Sequence, residues 1–147
     1  GGGLYPSYGF SNMIFEDAFD VEKDAYRSFI SDSAVMKKIE EQLIKDTAPS
    51  FIFAMTMQNH QPYASPDGKF EGELDYYLGG VEKSSEAIYE FLEMLESFPE
   101  ETIVLFLGDH FPFFSPQGGV YRKLNRQNGL SEDMYTQKYL LYSNLPE

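Results

Sequence analysis

The chain has 147 residues, with 11 Lys and Arg against 24 Asp and Glu, a formal net charge of −13, and no cysteine. That charge excludes a protein held to nucleic-acid phosphates or to an anionic membrane by bulk electrostatics, and the missing cysteines exclude a disulfide scaffold, a zinc ribbon and a thiol nucleophile. With 42% hydrophobic and 16% aromatic residues, all Phe and Tyr, the chain is no disordered acidic tail; its length suits one domain or part of a larger one.

No apolar run approaches the about 20 residues of a membrane span, and the start shows no signal-peptide pattern. Gly1, Gly2 and Gly3 read as an appended scar or a loop end and are set aside from the fold, which leaves residues 4–147. Residues 4–20 carry aromatics without a steady period and read as irregular, with one short strand at residues 12–15. Ser31 or Ser33 then offers a helix N-cap, with Asp32 in the first turn. Val35, Met36, Ile39, Leu43 and Ile44 follow at helical spacing, and the helix should stop before Pro49. Residues 51–57 (FIFAMTM) form a short apolar run of buried-strand type. Residues 59–68, with two prolines, Asn, Asp and Gly, read as a loop. The helical period returns over residues 75–97, with Gly79 and Gly80 near its start. Each glycine costs about 1 kcal/mol against alanine in a helix, so close packing or a frayed first turn is expected there. Residues 102–107 (TIVLFL) make a second buried-type strand, residues 117–129 a polar loop, and residues 138–142 (KYLLY) a third strand. Strand, loop, helix and strand in this order, with apolar strands that do not alternate, predict an α/β fold with a doubly wound, mostly parallel sheet and flanking helices.

In open α/β sheets ligands gather at the carboxyl ends of the strands. The first strand runs out into Gln58-Asn59-His60-Gln61-Pro62-Tyr63 and the second into Gly108-Asp109-His110, so the chain's two histidines fall on one predicted rim. Asp109 and His110 offer adjacent oxygen and nitrogen donors that suit Zn²⁺, Mn²⁺ or another borderline divalent ion. They have a structural reading too, in which Asp109 caps a turn and His110 packs among Phe111, Phe113 and Phe114. His60 either contacts an anionic substrate and moves a proton, or bonds a backbone carbonyl in its own loop. Arg122, Lys123 and Arg126 lie in a stretch (residues 111–128) without a single acid, whereas residues 67–101 hold eleven acids and two bases. The basic stretch can receive a phosphate or sulfate group, or simply balance the acidic helix.

Residues 51–63 (FIFAMTMQNHQPY), 77–95 (YLGGVEKSSEAIYEFLEML) and 102–112 (TIVLFLGDHFP), in this order, resemble the C-terminal half of the catalytic domain of the sulfatase/alkaline-phosphatase superfamily. The branch they resemble is that of the lipoteichoic acid synthase-like phosphoglycerol transferases. Residues 5–19 (YPSYGFSNMIFEDAF) resemble the stretch that follows that family's substrate-binding segment. The resemblance implies that Asp109 and His110 are metal ligands, for manganese first and magnesium, zinc or calcium otherwise, and that His60 lines the substrate site; Arg122, from the basic stretch, is a further candidate anion contact. It implies transfer of a phosphoglycerol headgroup from a lipid, or turnover of another phosphate or sulfate ester, in cell-envelope polymer or glycan synthesis. It also implies an enzyme on the extracellular face of the cell membrane, anchored by N-terminal helices. The family's nucleophile lies upstream of these motifs, and Thr47, Thr56 and Thr102 do not match its position. Residues 4–147 are therefore expected to be half of a catalytic domain, inactive alone, with an exposed sheet edge at residues 51–57 and 102–107 where the other half would pack. Hydrolysis by a sulfatase or phosphodiesterase is the alternative within this fold. A non-catalytic interaction domain that binds a partner through Tyr63 and residues 111–114 is the alternative outside it.

Overall fold

The structure is a computed structural model that describes residues 3–63, 72–124 and 135–146. Elements follow in the order α1 (Leu4–Ser7), a 3-10 turn (Glu16–Ala18), α2 (Val21–Asp24), β1 (Ala25–Tyr26), β2 (Phe29–Ile30), α3 (Asp32–Lys45), α4 (Glu73–Glu96), β3 (Ile103–Leu107), α5 (Val120–Lys123) and β4 (Tyr139–Ser143). None of the described helices is long and apolar enough to cross a membrane.

The two long helices form where the period places them. Ser31 caps α3, its hydroxyl accepting from Ala34 N at 3.1 Å, which satisfies one of the four free N–H groups of the first turn. The helix ends at Lys45, four residues before Pro49. In α4 the buried positions are Glu73, Gly80, Ser84, Ala87, Phe91 and Leu95, spaced by three, four or seven residues. They draw one stripe along the helix, and α3 packs against α4. Ile44 and Leu78 stay exposed although they match the helical period.

The sheets depart from expectation. β1 and β2 form a small antiparallel hairpin in residues that carried no strand pattern, and β3 pairs antiparallel with β4, from Ile103 opposite Ser143 to Leu107 opposite Tyr139. Among the described residues no two strands run parallel, so the doubly wound parallel sheet is not built within this chain. Residues 51–57 form no strand, and neither do residues 12–15. Of residues 51–57, only Met57 takes part in a backbone bond outside regular elements, accepting from His60 N at 2.9 Å. An apolar run needs neighbouring strands to satisfy its N–H and C=O groups, and among the described residues none pairs with it. Phe51 is 78% exposed; Phe53 and Phe51 are touched from the N-terminal segment by the rings of Tyr5 and Phe10. The same holds for one face of the β3–β4 pair: Ile103, Leu105, Leu107, Tyr139 and Leu141 are all more than half exposed. In place of the expected sheet edge at residues 51–57 and 102–107, the structure shows a bare apolar face on the β3–β4 pair and no strand at residues 51–57.

The core sits at the other end of α4. Tyr63, Phe114, Val120 and Tyr121 are buried together, with Leu74, Tyr76, Tyr77 and Phe111 against them. Ring centroids lie 5.2 Å apart for Tyr63 and Phe114, 5.3 Å for Tyr63 and Tyr77, and 5.4 Å for Phe114 and Tyr121, most of them edge-to-face. Asn144 closes the far end. Its side chain accepts from Thr102 N at 2.6 Å and donates to Leu95 O and Glu100 O at 3.0 Å, clipping β4 to the end of α4.

Candidate functional site

One stripe of α4 carries both loops that hold the predicted site residues. Glu73 opens the stripe. Its buried carboxylate accepts from Ser115 N at 3.1 and 3.2 Å and from the Ser115 hydroxyl at 2.9 Å, which pins the loop that follows His110. One turn on, the Tyr77 ring touches both Tyr63, from the loop after His60, and Phe114, from the loop after His110. Burial pushes the Tyr63, Tyr77 and Tyr121 hydroxyls above their ordinary 10; at Tyr63 the neighbouring Tyr77, Tyr121 and Glu73 charges add to it. The Tyr63 hydroxyl donates to Asn59 O at 2.9 Å and the Tyr121 hydroxyl to Pro112 O, so each phenol also holds the backbone of its own loop.

Gly80 and Ser84 finish the stripe and fix the residues before His60. The Gln58 side chain accepts from Asp32 N at 2.9 Å and donates to Gly80 O at 3.0 Å; both partners are backbone groups, so the amide has one orientation. Gln58 and Asn59 also donate to the Ser84 hydroxyl, at 3.0 and 2.7 Å. That hydroxyl has one proton, which goes to Asp32 Oδ2 at 2.5 Å in preference to Gly80 O at 3.2 Å. Asp32 is 2% exposed, and burial raises its carboxyl above the ordinary 3.8 while the Ser84 hydroxyl and nearby Thr56 pull the other way. Its Oδ1, like Asn59 Oδ1 and Gln61 Oε1, is buried with no hydrogen-bond partner among the described residues. A β-carbon at Gly80 would stand 2.3 Å from Asn59 Oδ1, so only glycine admits this approach.

Asp109 and His110 lie just past the end of β3 and are exposed, their side chains by 80% and 57%. Asp109 Oδ1 accepts from His110 N at 2.9 Å, which sets the turn, and Oδ2 stands 3.6 Å from His110 Nε2. His110 Nδ1 faces Phe111 O at 2.8 Å. A carbonyl only accepts, so Nδ1 carries the proton and Nε2 keeps its lone pair. Two donors about 2.1 Å from one tetrahedral ion sit about 3.4 Å apart, close to the spacing seen, so the pair fits a shared divalent ion. The structural reading of His110 as a core side chain fails on its exposure, and that of Asp109 as a turn residue holds for Oδ1 alone. Among the described residues no group of three or more His, Cys, Asp or Glu gathers, so Asp109 and His110 offer two donors where a divalent ion takes four or more.

His60 is half-buried, with its ring edge-on to Phe29 at 5.9 Å. Its Nδ1 faces Gln61 O at 2.7 Å, so this ring too presents a free Nε2. The reading of His60 as a loop histidine bonded to a backbone carbonyl is thus met at Nδ1. Among the described residues no hydrogen bond, ion pair or ring contact joins His60 to Asp109 or His110. What they share is the anchorage of their loops on α4. Arg122 and Lys123 are exposed on α5 beside buried Tyr121, and Arg126 falls outside the described residues. Tyr63 and Phe114 are 3% exposed, which removes them as contacts for a partner.

Arg27 carried no signal in the sequence. Among the described residues it is the non-glycine residue with a left-handed backbone, φ 60°, a conformation that costs about 1 kcal/mol or more outside glycine. Its guanidinium stacks 3.5 Å over the Tyr76 ring and 4.6 Å from the Tyr26 ring and donates to Tyr76 O at 2.7 Å. The Gly79-Gly80 pair marks where that side chain and Asn59 approach α4.

A family model described as Sulfatase matches residues 2–145. A protein of Rhizobium meliloti (strain 1021), named for cyclic beta-1,2-glucan modification, is 27% identical over 143 residues; the match takes in 88% of this chain and 22% of that protein. The chain thus spans about a fifth of the length of that relative. No solved structure matches the chain.

Proposed function

Because the chain belongs to the sulfatase family, an α/β family of generally metal-dependent proteins, we propose that it forms part of the catalytic domain of a phosphoglycerol transferase acting on cell-envelope glycan or polymer. The observation that carries this reading is the pair of Asp109 Oδ2 and His110 Nε2, 3.6 Å apart and open to solvent, with the tautomer of His110 set by Phe111 O. The relative named for glucan modification supports a glycan acceptor. The bare face of β3 and β4 and the unpaired residues 51–57 support completion by further strands of the same protein, in the mostly parallel, doubly wound sheet expected for the whole domain. On this reading the full protein sits on the outer face of the membrane.

Asp109 and His110 would hold a divalent ion, Mn²⁺ first, which when bound supplies Lewis-acid stabilisation of charge on a phosphoryl oxygen. The chain's own residues then do the following. The His60 Nε2 accepts the proton of a hydroxyl at the reacting centre, or, once the ring has taken up that proton, donates it to an oxygen of the ester, while its Nδ1–H is held by Gln61 O. Ser84, Gln58 and Asn59 hold the turn before His60, and Glu73 with Ser115 holds the turn after His110. Arg122 on α5 adds positive charge for the headgroup. The nucleophile is supplied by the part of the domain outside residues 4–147.

The test is phosphoglycerol transfer by the full-length protein with a glycan acceptor, with and without Mn²⁺. Transfer that is lost on chelation and in Asp109→Ala supports the reading. Activity that survives Asp109→Ala overturns the ligand assignment. Release of free glycerol phosphate or sulfate in place of transfer selects the hydrolase that the family's description favours.

A further inference from the structure

Arg27 stands at the tip of the β1–β2 hairpin in a backbone conformation that glycine adopts freely and arginine does not. The side chain must therefore be worth its strained position. Its guanidinium carbon stands 3.5 Å over the centre of the Tyr76 ring, and one of its five N–H groups is spent on Tyr76 O. Among the described residues no carboxylate pairs with it, and the residue is exposed. The planar fork is thus held still with most of its donors unused, which is how a site presents arginine to an oxyanion.

The fork faces the His60 loop by two independent routes. Across the hairpin, Tyr26 pairs with Phe29, and the Phe29 ring stands edge-on to the His60 ring at 5.9 Å. On α4, the point a Gly80 β-carbon would occupy is 4.0 Å from Arg27 Nη1 and 2.3 Å from the side chain of Asn59, the residue before His60. Gly79 and Gly80 add no side chain of their own between the guanidinium and the loop.

We propose that Arg27 is a second oxyanion-binding residue of the His60 pocket, a fork that grips the phosphate or sulfate group of an ester whose other oxygens meet His60. The proposal rests on the reading of His60 as a substrate contact given above and adds the residue that recognises the anion. It needs no metal, because neither group is a metal ligand.

The test uses the full-length protein, stripped of metal, and two probes, inorganic phosphate and inorganic sulfate, titrated while the ring Hε1 signals of His60 and His110 are followed. The His60 signal is expected to move and saturate with at least one anion, and the His110 signal to stay. Arg27→Gly, which removes the backbone strain with the side chain, and Arg27→Gln are each expected to weaken that binding by at least about tenfold, the loss of a charge-assisted pair. Their amide spectra should report an intact fold. Equal affinity in both variants, within a factor of about two, would make Arg27 a strut on Tyr76 and overturn the proposal while the His60 assignment stands. No response of His60 to either anion in the wild type would overturn both.

Discussion

The hydroxyl of Ser84, midway along α4, donates to the buried carboxylate of Asp32, the first residue of α3, at 2.5 Å. Residues 52 apart in sequence are joined by one proton, and the same oxygen takes hydrogen bonds from Gln58 and Asn59. Ser84 therefore couples the packing of the two long helices to the loop that carries His60. Ser84→Ala should cost about 1–3 kcal/mol, since it leaves Asp32, Gln58 and Asn59 each short of a partner in a buried setting. Urea unfolding at neutral pH measures it, and a cost near zero would show the network to be incidental. Ser85→Ala is the control: Ser85 is exposed and bonds only Val81 O, so its loss should go unnoticed.

Asp32 makes stability depend on pH in an unusual direction. Burial raises its carboxyl above the ordinary 3.8 more than its hydroxyl neighbours lower it. The folded state thus holds that proton more tightly than the unfolded chain does. The stability it contributes is fully present below about pH 3.8 and is lost as the pH rises through the folded-state value. Asp32→Asn carries no titrating group, so it should gain on the wild type as the pH rises, and the difference between the two unfolding curves at about pH 3.5 and about pH 7 measures the effect. A difference that does not change with pH would show that Asp32 titrates normally.

The two glycines of α4 should respond in opposite senses. A β-carbon at Gly79 would meet only Arg27 Nη2 at 3.5 Å, an ordinary contact, so Gly79→Ala should stabilise by about 0.5–1 kcal/mol through helix propensity. A β-carbon at Gly80 would strike Asn59 at 2.3 Å and expel it from Ser84, so Gly80→Ala should destabilise by about 1–3 kcal/mol despite the same propensity gain. Thermal unfolding of both variants decides it. Equal shifts would mean that Asn59 moves aside freely.

Metal binding should be separable from folding. Asp109 and His110 are exposed and touch only their own turn, so Asp109→Ala should change stability by less than about 0.5 kcal/mol while removing Mn²⁺ binding measured by calorimetry. Binding by this chain alone should be weak, because two donors fall short of a full set. Unchanged binding in Asp109→Ala would place the ion elsewhere.

The bare face of the β3–β4 pair should govern association and not stability. Leu105 is 59% exposed and lies opposite exposed Leu141. Leu105→Lys should leave unfolding nearly unchanged and lower self-association of the isolated chain, as read by light scattering. A large loss of stability would mean that the residue is packed in solution.

Local pattern was enough for the parts of this protein whose physics is local. The cap at Ser31, the apolar period of α3 and α4 and the strand ending at Leu107 each depend on neighbours within a turn or a pleat, and all three form where the sequence puts them. Asp109-His110 was legible because its geometry is that of adjacent residues at a strand end. The sequence reading of residues 51–57 as a buried strand does not hold here. A strand exists only with hydrogen-bonding neighbours, and among the described residues these are missing. The antiparallel pairing of β4 with β3, the buried Asp32–Ser84 network and the stacked Arg27 rest on contacts between residues 32 to 52 positions apart. No period in the chain encodes these. They were decided when α3, α4 and the two loops came together, because only the folded arrangement determines which polar groups lose water and must find each other.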